Sequence, residues 1–418
     1  MIKQLTCLLV LMLFFAANAT QVQAQSQVQP IPLAAESGFA FEAATGKILF
    51  EKNSNKALPV ASISKVVTAY LVYQEVQKGH LKWDSPVTIS NYPYWLTSQY
   101  HISNVPLDKR QYSVLDLLTA MLVTNANSPA IALAEAIAGT EDLFVKKMNQ
   151  QLKAWGATDS KLINASGLAN EELGEFAKPQ LAKTAENQMS ASDVAIATYH
   201  LLKDFPQVTQ ITSQASATFA GQTIFSYNYL LPGMPYARKG SQGLFLGTSA
   251  QGLSSLVTSS TEGDLSIVTV LLNVDQGKDK PTERFQVANR FLDEITKQFQ
   301  KVTILKKGQS LRQPRLTVKD SPDKLIPLEV ATTLTAVQPR VKGKKLTYQV
   351  NKTQAQYFAP LSKHQTVASI TLVDQNNIGR GYMGKMPQTK LVTQKAIPRS
   401  FFLKVWWNHW VDYVNQNL

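Results

Sequence analysis

Two apolar stretches within residues 39–53 flank Ala44-Thr45-Gly46, a turn signal, and predict a β-hairpin. After Pro59-Val60-Ala61-Ser62 the period changes. Ile63, Val66, Val67, Tyr70 and Tyr73 recur at three- and four-residue spacing, and Leu71, Val72 and Val76 widen the stripe. That pattern predicts a helix buried on most sides and stopped at Gly79. A second helix is expected over 114–123, followed by the loop Asn125-Ala126-Asn127. Ser128 is the expected cap, and Pro129 the first position, of a third helix that ends at Gly139. Residues 140–155 read as helix, 156–190 as a polar loop region and 192–204 as a short helix.

From 244 the pattern turns extended. Runs at 253–259 and 265–273 predict strands joined by Thr261-Glu262-Gly263-Asp264. A long amphipathic helix follows, with Phe285, Ala288, Phe291, Leu292, Ile295 and Phe299 on one face. Strands, a helical block, more strands and a closing helix predict an α+β domain whose early and late strands share one antiparallel sheet. Beyond 301 the chain is rich in Lys, Thr and Val and punctuated by Pro, with short strands at 346–350 and 367–372, which predicts a small all-β domain. Within 401–418, Phe402, Leu403, Trp406, Trp407, Trp410 and Val414 fall on one helical face, whereas Lys404, Asn408, Asp412 and Asn415 fall largely on the other.

Length adds a bound: 418 residues suit two or three domains. A 44% hydrophobic content allows a sizeable core, and only 17% charged residues argues against disorder. The net charge of +13 is unevenly placed. Residues 301–418 hold 19 basic and 5 acidic side chains, against 23 and 24 in the rest. An acidic partner is therefore expected to meet the C-terminal part. Lys3, an apolar run over 5–17 and the small-x-small sequence Val22-Gln23-Ala24 predict a signal peptide over 1–24 and export. The single cysteine, Cys7, lies inside that segment, which excludes a disulfide framework and a thiolate metal cluster.

Candidate chemistry is sparse. The five histidines show no i,i+4 pairing and no nearby carboxylate cluster, so they read as surface or packing residues and no metal is called for. Gly247-Thr248-Ser249-Ala250-Gln251-Gly252 misses the Gly-x-Ser-x-Gly elbow by one residue. The informative stretch is Ser62-Ile63-Ser64-Lys65. Three residues apart on a helix, Ser62 and Lys65 face the same way. At a helix start Ser62 meets free N–H groups and the positive dipole end. A buried Lys65 can lose its proton near neutrality and serve as base toward the hydroxyl. Alone, Ser-x-x-Lys is a weak signal that also fits a simple helix cap.

The flanks add more. Glu42-Ala43-Ala44-Thr45-Gly46-Lys47, the run Leu58-Pro59-Val60-Ala61-Ser62-Ile63-Ser64-Lys65, Asn127-Ser128-Pro129-Ala130 and Asn164-Ala165-Ser166-Gly167-Leu168 resemble the serine D-alanyl-D-alanine carboxypeptidases. These are the low-molecular-mass penicillin-binding proteins. The resemblance runs strongly over about 35–300. It implies a β-lactamase/transpeptidase-like domain over 33–300, a basic C-terminal β-domain over 301–392 and a membrane-associating helix over 398–418. It also implies Ser62 as the acylated nucleophile, Lys65 as its base and Asn127 as the group that holds the substrate amide, with no cofactor.

Two of the family's three motifs are altered. Asn125 stands where the second motif has Ser, and an amide cannot relay a proton as a hydroxyl does. Where the third motif resembles Gly-Leu-Lys-Thr-Gly-Thr-Thr, this chain reads Gly243-Leu244-Phe245-Leu246-Gly247-Thr248-Ser249. Phe245 and Leu246 thus replace the Lys and Thr that bind the terminal carboxylate, and of that triplet only Gly247 remains, followed by Thr248. Losing such charge-assisted contacts typically costs ~2–4 kcal/mol each. Arg238 and Lys239, just upstream, are read either as replacements that reach in or, with more weight, as ordinary loop charges.

The resemblance implies action on peptidoglycan pentapeptides through an acyl-enzyme, with β-lactams as possible ligands, an anionic membrane surface as the partner of the basic domain and terminal helix, and no nucleic acid. A degenerate, non-catalytic homologue that binds wall peptides or wall-synthesis proteins is the alternative. A β-lactamase reading would need a deacylating Glu in the 160–180 region. Glu171, Glu172 and Glu175 lie there, outside the expected Glu-x-x-Leu-Asn setting.

Overall fold

The computed structural model describes residues 29–275, 279–323, 325–341 and 345–417, so the expected signal peptide lies outside the described residues. Strands β1 (Ala35–Glu42) and β2 (Ile48–Lys52) form the expected hairpin. Gly46 at its tip has φ +72°, a conformation open to glycine. Three late strands complete the sheet: β3 (Ser241–Thr248), β4 (Ser254–Glu262) and β5 (Leu265–Val274). The order is β2-β1-β5-β4-β3, antiparallel at each pairing, so early and late strands share one sheet and β3 is an edge. The β4–β5 turn is tighter than its four turn-forming residues suggest. Thr261 and Glu262 remain in the ladder opposite Ser266 and Leu265, which leaves only Gly263-Asp264 to turn.

The helical block packs on one face of this sheet. It includes α1 (Lys65–Gln77), α2 (Val114–Val123), α3 (Ser128–Ala138) and α4 (Ala191–Asp204). Ten of the thirteen residues of α1 are buried, as expected of a central helix. The opposite face is covered by α5 (Glu283–Gln298), whose Phe285, Ala288, Phe291, Leu292 and Ile295 form a second core with Leu256, Ile267 and Leu271. The cap of α3 differs by one residue from the expectation. Asn127 is the N-cap and Ser128 the first helical residue, and Asn127 makes no side-chain capping bond because its amide is turned toward Lys65 and Ser103.

The chain after α5 is all β until its last helix. Five of its strands form a sheet in which Ile326–Val330, Gln388–Thr393 and Thr366–Val373 are central, over a core of Leu328, Ile370 and Leu391. Its junction with the first unit is a buried clasp at the β1–β2 hairpin. Lys47 Nζ donates to Asp374 Oδ2 at 2.7 Å, Asn376 O at 2.7 Å and Asn377 Oδ1 at 3.0 Å, and Tyr382 Oη donates to the same Asp374 oxygen at 2.7 Å. Lys47 and Asp374 side chains are fully buried.

The last helix, α6 (Phe402–Asn417), rests on this unit by an unexpected edge. Val405 is its buried residue, His409 Nε2 lies 3.0 Å from Asp320 Oδ1, and Lys319 Nζ pairs with Asp412 at 2.6 Å. Phe402, Trp406, Trp407, Trp410 and Tyr413 are left exposed. Among the described residues no helix is long and apolar enough to cross a membrane.

Candidate active site

Ser62 sits in a tight 3₁₀ turn, Ala61–Ser64, immediately ahead of α1. Ala61 has φ +45°, a strained value for a residue with a Cβ. Two glycines press on this turn. A Cβ on Gly167 would lie 2.1 Å from Ala61 O, and one on Gly247 would lie 2.6 Å from Val60 O. Gly247 is therefore fixed by packing: it lets the edge strand β3 lie against the nucleophile turn. Ser64 Oγ accepts from Asn187 Nδ2 at 2.8 Å and donates to Ala61 O at 2.8 Å, which ties the turn down.

Lys65 is fully buried, and its Nζ lies 2.7 Å from each of three oxygens, Ser62 Oγ, Asn127 Oδ1 and Ser166 O. Among the described residues no carboxylate lies within ion-pair distance of it. Burial pulls its pKa well below the usual lysine value, with the charge of Glu172 opposing. The loop that supplies Ser166 is itself braced. Thr68 Oγ1 donates to Ala165 O at 2.8 Å, and Ala165 N donates to Glu141 Oε1 at 2.8 Å. Burial raises the Glu141 carboxyl to about 7. Asn127 Nδ2 donates to Ser103 O at 2.9 Å, which fixes its amide and leaves one hydrogen directed elsewhere.

These groups open into a cleft of about 500 Å³ that Ser62, Asn125, Asn127, Leu246, Gly247 and Thr248 line in part. Asn125 occupies the left-handed region at φ +58°, which asparagine tolerates, and its Nδ2 reaches Leu246 O at 3.4 Å. The carbonyl of Leu246 thus points toward Asn125, away from the neighbouring strand β4. By strand alternation the N–H of Thr248 also points to the cleft. The N–H of Ser62, second in its turn, has no partner within the turn. Both residues line the cleft, so their N–H groups are candidate donors to an oxyanion formed at Ser62.

Phe245 is placed elsewhere. It is 3% exposed and packs in the main core, beside a small hollow shared with Asn125, Leu122 and Val123. Leu246 is half-buried at the cleft wall. Arg238 does not reach in: its guanidinium is held by Glu262 at 2.6 Å and Asp293 at 2.9 Å. The cation that does line the cleft, Arg284, was not singled out by sequence pattern. Its five N–H groups donate to Pro281 O, Gly247 O, Ser255 O, Thr248 Oγ1 and Ser254 Oγ at 2.7–3.1 Å, all neutral acceptors. Desolvation pulls its pKa to about 10, and among the described residues no carboxylate pairs with it. Because Thr248 Oγ1 accepts from Arg284, its own hydrogen is free to donate into the cleft. Of the three acidic candidates, Glu172 lines the cleft and Glu171 and Glu175 do not.

A sheet flanked by helices, with a Ser-x-x-Lys turn between the helical block and an edge strand, is the transpeptidase-like fold of active-site-serine enzymes. Residues 21–276 match the D-alanyl-D-alanine carboxypeptidase family and residues 299–399 match the penicillin-binding protein 5 C-terminal domain, so the chain belongs to the D-alanyl-D-alanine carboxypeptidase family. It is 25% identical over 369 residues to D-alanyl-D-alanine carboxypeptidase DacF of Bacillus subtilis, covering 87% of each chain. A crystal structure of a peptidoglycan synthesis regulatory factor (PBP3) from Streptococcus pneumoniae superposes with TM-score 0.83 at 38% identity, over 88% of this chain and all of that one. Penicillin-binding protein D2 of Listeria monocytogenes in its ampicillin-bound form matches 64% of this chain and all of its own, with TM-score 0.53 and 26% identity. The fold, a transpeptidase-like α+β unit followed by an all-β unit and a final helix, is the one the sequence predicts.

Proposed function

We propose that this protein removes the terminal D-alanine from peptidoglycan stem peptides through an acyl-enzyme on Ser62. The observation that carries this reading is the setting of Lys65 Nζ among three oxygens, each at 2.7 Å. A neutral lysine has two N–H groups and one lone pair. Asn127 Oδ1 and Ser166 O take the hydrogens, and the lone pair is left to receive the Ser62 proton. The carbonyl oxygen of the scissile bond is held by the N–H groups of Ser62 and Thr248. The terminal carboxylate is held by the Thr248 hydroxyl in the field of Arg284, which takes over the charge that Phe245 and Leu246 do not supply. Release of D-alanine from a pentapeptide, with Ser62→Ala as control, tests the reading. No release above the control overturns it.

A second reading is supported by Asn125, Phe245 and Leu246: a family member that binds wall peptides without turning them over. It predicts stem-peptide binding with no D-alanine release and no lasting label from a fluorescent penicillin.

The protein works outside the cytoplasmic membrane, held on its outer face by α6. The exposed Trp406, Trp407 and Trp410 support an interfacial position, and Lys404, Asn408 and Asp412 oppose a spanning one. The basic domain adds to the attraction by up to ~1 kcal/mol per charge near an anionic surface. Ile397 is buried and exchanges backbone hydrogen bonds with Leu361 at 2.8 and 3.0 Å, so the truncation to make begins at 401. It releases the protein from anionic vesicles while changing Tm by a few degrees. Retained binding with a large fall in Tm would mean instead that the helix is a packing element.

A further inference from the structure

We propose that Glu172 is the general base of the second half-reaction, activating the water that hydrolyses the Ser62 acyl-enzyme. The inference rests on the proposed acyl-enzyme chemistry and adds a group to it.

Glu172 is half-buried and lines the same cleft as Ser62, Gly167 and Leu168. Its carboxylate is held on one side only: Oε2 accepts from Ala169 N at 2.9 Å, while Oε1 receives no hydrogen bond among the described residues. The stretch from Ser166 to Glu172 therefore carries both the carbonyl that orients Lys65 and a cleft-lining carboxylate with one oxygen that receives no hydrogen bond among the described residues. The two charges feel each other, since Glu172 opposes the fall in the Lys65 pKa.

The loop is also rigid. Gly174 has φ +58° and lies so close to Trp95 that a Cβ would meet the indole at 2.1 Å. Phe176 stacks on Tyr92 at 4.3 Å, and Asn170 Oδ1 accepts from Lys178 N at 2.8 Å. A base on such a loop is positioned before substrate arrives.

The other titratable groups lining the cleft suit the task less well. Arg284 has all five N–H groups engaged, and His101 is exposed. Asn125 offers an amide, which does not relay a proton as a hydroxyl does.

The step balances without a further reactant. Water oxygen bonds to the ester carbonyl carbon as Glu172 Oε1 takes one water proton. The tetrahedral intermediate collapses with cleavage of the carbon–Ser62 Oγ bond. Lys65, left neutral after passing the serine proton to the departing amine during acylation, relays to Ser62 Oγ the proton that Glu172 took from water. The products are a free carboxylic acid and the starting serine.

The test uses full-length protein and a fluorescent penicillin. Acylation is followed as label incorporated, and deacylation as label lost after a chase with unlabelled drug. Glu172→Gln keeps an acceptor for Ala169 N. It is expected to lengthen the acyl-enzyme lifetime tenfold or more, a far larger change than any in acylation rate, while Glu172→Asp recovers part of the loss. Glu171→Gln, exposed beside it and outside the cleft, leaves the lifetime unchanged. A lifetime for Glu172→Gln within twofold of the parent overturns the proposal and leaves the acyl-enzyme reading standing. Failure of the parent to take label at Ser62 overturns both.

Discussion

Lys65 Nζ and Ser62 Oγ lie 2.7 Å apart with no carboxylate at ion-pair distance from the lysine among the described residues. A base in that position needs no proton acceptor beyond itself, provided it arrives neutral. Burial supplies the bias, since the charged form would have to be desolvated.

Acylation should therefore rise with pH through the depressed Lys65 pKa and reach a plateau well below pH 10. Lys65→Arg, a cation at every accessible pH, should lower the second-order rate constant for penicillin acylation by about a thousandfold or more. A variant that acylates within tenfold of the parent would remove Lys65 from the mechanism.

Glu141 has the opposite linkage. Its folded-state pKa, about 7, lies above the unfolded value of 4.5, so the native protein holds the proton more tightly. Stability from this group is complete below pH 4.5 and is lost as pH rises through 7, by about 3 kcal/mol in all. Glu141→Gln, which keeps an acceptor for Ala165 N, should flatten that part of the profile and unfold at higher urea than the parent at pH 8. Identical urea midpoints at pH 5 and pH 8 in parent and variant would count against the assignment.

Arg284→Lys retains a charge but offers three donors in place of five. Unsatisfied acceptors cost about 1–3 kcal/mol in stability. The same change should raise KM for a pentapeptide roughly tenfold, with a smaller effect on kcat. A change confined to Tm would make Arg284 a purely structural residue.

Restoring Lys at 245 and Thr at 246 places a lysine stem where Phe245 now fills the core against Leu122 and Val123. Without a nearby oxygen that ammonium is costly to bury. The triple change Asn125→Ser, Phe245→Lys, Leu246→Thr should therefore outperform the double change without Asn125→Ser, in both D-alanine release and Tm. An inactive, stably folded triple variant would place the limitation elsewhere in the cleft.

Much of this site was legible in the chain, for identifiable reasons. Ser62 and Lys65 are local: one turn of helix sets their relation, and spacing is sufficient. Asn127 was named through its loop, although the cap was misplaced by one residue because the amide serves Lys65 rather than its own helix. Arg284 carried a readable signal, a cation beside Phe285 on the otherwise apolar face of an amphipathic helix, that periodicity alone treats as noise. Choosing Glu172 among three glutamates needed the path of an irregular loop, which no period describes. Lys47 and Asp374 are 327 residues apart, and their pairing depends on how two separately formed cores meet.

That last pair makes the molecule a ruler. Removing one of two fully buried partners leaves the other charge uncompensated, at a cost of about 3–5 kcal/mol, so the junction depends on both residues. If α6 lies on lipid as proposed, the cleft stands at a single altitude above it, set by the thickness of the β-unit and not by a slack tether. Stem peptides at that altitude would then come within reach of the cleft, and those nearer or farther would not. A spectroscopic distance between labels on α4 and α6 should accordingly form one narrow distribution, broadened by Asp374→Asn.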